Sequence, residues 1–158
     1  MTRDPTEASI RHRGALLDCA DTLLKAVNPD TVFHLASPIY LGEDPAQLAQ
    51  LRSGIIDSTA ALVRACPPTV RRFVHIGSCA EYGDAPSPHR ENTAVQSNNT
   101  YGKLKAEATQ MVLAAPFNAT VLRPFRAIGP GDTQSVLAAA ATAALTGQPF
   151  PMTQGNQV

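Results

Sequence analysis

The sequence predicts an α/β fold: a parallel, doubly wound (Rossmann-like) sheet. Three observations carry this. Short apolar, β-rich runs alternate with longer segments whose apolar groups recur at helical spacing. The runs lack the strict alternation of a half-exposed sheet, as strands covered on both faces do. Pro- and Gly-containing breaks separate the segments at lengths that suit strand–helix–strand units.

The elements follow in order. Residues 1–13 are polar and weakly patterned and read as a loop or tail. Residues 18–27 form a helix with Asp18 and Asp21 early and Lys25 late, the charge order a helix dipole favours, and Asn28-Pro29-Asp30 ends it. Residues 31–36 are the first strand. After a loop at 38–45, residues 46–66 make a long helix whose buried side takes Leu48, Leu51, Ile55, Ile56, Leu62 and Val63; Pro67-Pro68 stops it. Residues 71–78 are the second strand, and a loop rich in Pro, Ser and Asn runs over 83–99. A helix over 100–115, a third strand over 119–123, a turn at Gly129-Pro130-Gly131-Asp132 and an alanine-rich helix over about 133–146 complete the chain.

Composition bounds the partners. A chain of 158 residues fits one domain and hides roughly two-thirds of its unfolded surface. Thirteen basic residues balance thirteen acidic ones, so no field draws in nucleic acid or an anionic membrane. Cys19, Cys66 and Cys79 are odd in number and lack paired metal-ligand spacing, and they read as free thiols in a reducing compartment. No apolar run approaches the roughly 20 residues of a membrane span, and residues 1–5 lack the start of a secretory leader. The expectation is a soluble, cytoplasmic protein.

In parallel α/β sheets ligands bind beyond the carboxyl ends of the strands. The residues there are Ala36-Ser37, Ser78 and Pro124-Phe125-Arg126. On the helix over 100–115, Tyr101 and Lys105 stand at i and i+4, on one face. An ammonium beside a phenol favours the phenolate, so Lys105 is expected to lower the Tyr101 pKa toward a range useful for general acid/base work. Ser78 is placed to bind the oxygen whose proton Tyr101 exchanges. His34 and His75, inside strands, read as satisfied structural residues, Cys79 as a small buried filler, and Arg71-Arg72 as a solvated strand entrance. Arg126 stays open between a structural ion pair and a substrate phosphate.

With these pieces in place, the chain resembles the extended short-chain dehydrogenase/reductase family, the NAD-dependent epimerase/dehydratase group. The matching segments are residues 14–18, 30–37, 73–83, 101–107, 122–131 and 155–158, in the family's order over nearly the whole chain. Tyr-x-x-x-Lys alone is a weak pattern; the ordered set is a strong one. The resemblance implies that Ser78, in Ser78-Cys79-Ala80-Glu81-Tyr82-Gly83, is the catalytic Ser/Thr, Tyr101 the acid/base, and Lys105 the residue that also holds the nicotinamide ribose. It implies NAD or NADP as cofactor, with Leu35, Ala36 and Ser37 lining the dinucleotide and Phe125 near the nicotinamide. It further implies a nucleotide-sugar substrate and a homodimer through the helices at 46–66 and 100–115.

The departures are equally specific. The family's Gly-x-x-Gly-x-x-Gly turn, which holds the pyrophosphate at a helix N-terminus, does not occur in the 158 residues. The expectation is a partial NAD(P)-binding domain over residues 1–158, lacking the first strands and the C-terminal substrate domain. Ala15 stands where relatives often carry an acid, and Arg126 where they often carry Asn. Sugar 4,6-dehydratases place Asp-Glu after the catalytic Thr; Cys79-Ala80 cannot perform that elimination, so epimerase or ketosugar reductase is expected. The alternative is a non-catalytic remnant or partner-binding module of the same fold.

Overall fold

Three parallel strands lie in the order β1 (Thr31–His34), β2 (Arg72–Ile76), β3 (Asn118–Leu122). The computed structural model describes residues 15–38, 44–125, 127–133 and 135–151. Register sets His34 opposite His75, and Ile76 opposite Leu122. Beyond the strand ends the ladder continues through Gly77 N–H to Leu122 O (2.7 Å) and Cys79 N–H to Pro124 O (3.2 Å). The chain that leaves β2 toward Ser78 is thereby held rigidly against β3. β1 and β2 are shorter than the sequence suggests, whereas β3 keeps its expected length and starts one residue earlier.

The helices form where expected. α1 (Leu16–Val27) carries an Asp21–Lys25 ion pair of 2.7 Å and closes on Asn28, whose left-handed φ of 45° lets its N–H reach Leu24 O. The long helix between β1 and β2 is not uniform: α2 (Pro45–Arg52) passes through a π-helical turn (Ser53–Asp57) into α3 (Ser58–Ala65). Asp44 caps its start by accepting from the N–H groups of Ala46 and Gln47. The extra residue in the π turn lets the consecutive Ile55 and Ile56 both point inward. α4 (Thr100–Leu113) begins on Asn99, whose side chain accepts from Gly102 N–H at 2.7 Å.

Two apolar clusters hold these pieces. One unites Ala20 and Leu24 of α1, Val32, Phe73, Leu62 of α3 and Val112 of α4, with Phe117 stacked on Phe73 at 4.8 Å. α1, α3 and α4 therefore share one face of the sheet. The other cluster, Leu51, Ile55, Ile56, Leu104 and Ala108, joins the π-interrupted helix to α4. On the opposite face Val74 is buried, whereas Phe33 beside it is 67% exposed. Cover on both faces thus holds for the central strand and not for β1.

The chain divides into two compact units, Met1–Phe125 and Arg126–Val158. The second contains α5 (Val136–Thr146), capped by Ser135, which accepts from Ala138 N–H, and closed by Gly147 at a φ of 65°. No helix among the described residues is long and apolar enough to cross a membrane.

Candidate active site

Ser78, Tyr101 and Lys105 converge at the carboxyl end of β2. Ser78 follows the strand in extended backbone and caps a 3-10 turn (Cys79–Glu81), its hydroxyl accepting from Ala80 N–H at 3.1 Å. α4 delivers Tyr101 half-buried and Lys105 almost wholly buried, 2% exposed. The close approach of α4 to the 3-10 turn depends on Gly102, where a Cβ would strike Ala80 O and Ser97 Oγ. The Ser78 and Ser37 hydroxyls lie near enough to the Tyr101 phenol to favour its ionised form, while the Ser37 hydroxyl itself donates to Pro38 O at 3.1 Å. Ser37, expected on the dinucleotide path, is thus also part of the phenol's surroundings.

The electrostatics differ from the sequence expectation. Tyr101 is raised above its ordinary value, first by burial and further by Cys79 and Glu81, while the Ser78 and Ser37 hydroxyls oppose the rise. Lys105 is not among the groups that lower it, and its Nζ donates to Ile76 O at 2.6 Å. Burial also lowers the Lys105 pKa, against the opposing charge of Glu81. Tyr101 consequently holds its proton at neutral pH.

Beneath the site lie the two imidazoles. His34 Nε2 meets Thr59 Oγ1 at 2.9 Å, and since that hydroxyl gives its own proton to Ile55 O (2.6 Å), His34 is the donor. His75 packs on His34 at 5.2 Å between ring centroids, and neither of its nitrogens has a hydrogen-bond partner among the described residues. The expectation of satisfied histidines holds for His34 and fails for His75. Burial first, then Lys105, lowers His34 to about 4; burial, His34 and Lys105 lower His75 to about 3.

The other expected residues surround this centre. Leu35 is 66% exposed and Ala36 exposed just past β1; Phe125 is 65% exposed past β3. Phe125 continues a stack of Tyr82 and His89, 4.8 Å apart, beside an open cleft of about 600 Å³. Cys79 is half-buried, its thiol 3.7 Å from Phe125 O, and all three cysteines are free. Arg126, Gly14 and the segment 155–158 lie outside the described residues. Sequence reasoning gave no role to the fully buried Glu81, which is paired with Arg123 at 2.7 Å. The Ser-x-x-Glu spacing of a capping box was a readable signal for it.

The protein-family model described as "NAD dependent epimerase/dehydratase family" matches residues 2–158. Among solved structures, the chain is similar to UDP-glucose 4-epimerase from Brucella ovis in complex with NAD. That match has 28% identity and a TM-score of 0.67, covering 75% of this chain and 39% of that one. RMD from Pseudomonas aeruginosa complexed with NADPH gives 27% identity, a TM-score of 0.73 and coverage of 90% and 52%. UDP-glucuronic acid 4-epimerase from Bacillus cereus in complex with NAD gives 22%, 0.76, and 92% and 48%, a likeness of fold. The chain spans about half or less of the length of these structures. No curated protein matches it.

Proposed function

The chain belongs to the NAD-dependent epimerase/dehydratase family, and on that premise we propose that it carries the acid–base centre of an NAD(P)-dependent enzyme acting on a nucleotide sugar, an epimerase or a ketosugar reductase. The observation that carries this reading is the buried Lys105, one turn after Tyr101 on α4, bonded through Nζ to Ile76 O at 2.6 Å, two residues before Ser78 at the carboxyl end of a parallel strand. Ser78 would hold the reacting oxygen of the sugar and Tyr101 exchange a proton with it. With its pKa raised, Tyr101 is suited to the reducing direction, in which it would give its proton to the alkoxide formed from a ketosugar carbonyl; in an epimerase the same group would first take that proton from the sugar hydroxyl. Arg126 is proposed to pair with a substrate phosphate.

The residues present fit the nicotinamide half of a dinucleotide: Leu35 and Phe125 offer open apolar surfaces on either side of Ser78, and Lys105 lies between them in sequence order on the adjoining helix. Bound there, the dinucleotide would supply hydride chemistry. NAD bound to the Brucella ovis epimerase and NADPH bound to RMD support the cofactor class. Titration of the purified chain with NADH and NADPH, followed by nucleotide fluorescence, tests the reading. Saturable enhancement with one of them is expected; none with either sinks it.

A second reading, a partner-binding module of the same fold, is favoured by the exposed apolar side chains of Phe33 and Leu35 at β1. The same titration separates the two.

A further inference from the structure

The Glu81 carboxylate gathers donors from three separate parts of the chain. Oε1 accepts from the backbone N–H of Ser78 at 2.9 Å and from the Thr109 hydroxyl at 3.1 Å; Oε2 accepts from Arg123 Nε at 2.7 Å. The side chain has no exposed surface. An ion pair with Arg123 needs only one carboxylate oxygen, yet the other is given wholly to segments of the candidate site. Thr109 stands one helical turn after Lys105 on the buried face of α4, and Lys105 Nζ is itself tied to Ile76 O. The end of β2 is therefore fastened to α4 at two points, one a buried ammonium and the other a buried carboxylate. Between them lies Gly77, where a Cβ would collide with Glu81 Oε1. Glycine leaves the space in which the carboxylate sits.

We propose that Glu81 is a positioning residue for this site: its Oε1 bonds hold Ser78 against α4, and its buried carboxylate is the counter-charge to the Lys105 ammonium fastened to the same strand end. The inference rests on the acid–base reading of Ser78, Tyr101 and Lys105 and adds to it a residue that touches no reacting atom. The charged and titratable groups that bear on Lys105 are His34 of β1, His75 of β2 and Glu81 of the 3-10 turn; Arg123 after β3 reaches it through Glu81. Both imidazoles are neutral near pH 7, so Glu81 is the counter-charge among them.

The test reads Lys105 directly. The chain has three lysines, Lys25, Lys103 and Lys105, so Lys25→Arg and Lys103→Arg assign the Lys105 13Cε resonance, whose pH titration reports the ammonium. In Glu81→Gln the shape and one acceptor remain while the charge goes, and Lys105 should titrate at lower pH than in the parent chain. An unmoved titration in the folded variant overturns the proposal. Should that variant fail to fold, Thr109→Val keeps the helix face and removes one donor from Oε1; more of the carboxylate's charge is then uncompensated, and Lys105 should titrate higher. Again an unmoved titration overturns it. A merely structural Glu81 would alter melting and leave Lys105 in place. Neither measurement uses a nucleotide, so a failure to bind NADH or NADPH overturns the functional reading separately.

Discussion

His34 and His75 sit ring against ring under Lys105, 3% and 2% exposed, and their depressed pKa values make acid sensitivity a property of two residues. Unfolded imidazoles titrate near 6.5, folded ones at about 4 and about 3. Their contribution to stability is therefore complete above pH 6.5 and lost as pH falls through the folded values. Each adds a slope of up to about 1.4 kcal/mol per pH unit in that window. His75→Leu, which removes two unpartnered ring nitrogens, should flatten the decline in urea midpoint between pH 6.5 and 4; an unchanged slope would contradict the assignment. Tyr101 belongs to the same scale. Tyr101→Phe keeps the ring and loses the proton, so turnover should fall by a hundredfold or more, on the order of a lost general acid, with cofactor affinity little changed. Unchanged turnover in a stopped-flow assay refutes its role. The positions of Ser78, Tyr101 and Lys105 were legible because strand ends and an i, i+4 pair are local. The charge state of Tyr101 was not, because it depends first on burial and then on Ser78, Cys79, Glu81 and Ser37, groups that only the packing brings around it.

At the level of elements, α4 is the piece on which the site turns. Its own apolar pattern is weak, and it is fixed by what it packs against: Leu104 and Ala108 in one cluster, Val112 in the other. Its start is set by Asn99, whose side chain satisfies Gly102 N–H at 2.7 Å. Asn99→Ala should cost about 1 kcal/mol in chemical denaturation and loosen the first turn, where Tyr101 resides. A loss below measurement error would show that the cap is idle. The boundaries of this helix were readable from the Pro-, Ser- and Asn-rich loop before it. The π turn at Ser53–Asp57 was not, since only the second cluster, filled from α4, demands that Ile55 and Ile56 both face inward.

Over the whole molecule, the sheet is packed on one face and open at β1 on the other. Phe33 and Leu35 are 67% and 66% exposed, and apolar surface of this kind attracts hydrophobic dyes and partners. Phe33→Thr should lower dye fluorescence while leaving the far-ultraviolet dichroism unchanged, and equal dye binding would place the exposed surface elsewhere. The order β1-β2-β3 has each crossover helix between neighbouring parallel strands, which brings all three carboxyl ends to one edge. That alignment turns separate short motifs into one site.

The sequence by itself determined the α/β class, the order of strands and helices, the residues at the strand ends and the family resemblance, because each of these is written in local periodicity, breaks and short motifs. Tertiary structure decided the electrostatics. Whether Lys105 faces a phenol or a carbonyl, whether Glu81 is a surface charge or a buried clasp, and whether His75 finds a partner all depend on which distant groups the packing brings within about 3 Å, the range over which hydrogen bonds act. At that range burial removes water as a competitor, and a few long-range contacts set the protonation of the whole site.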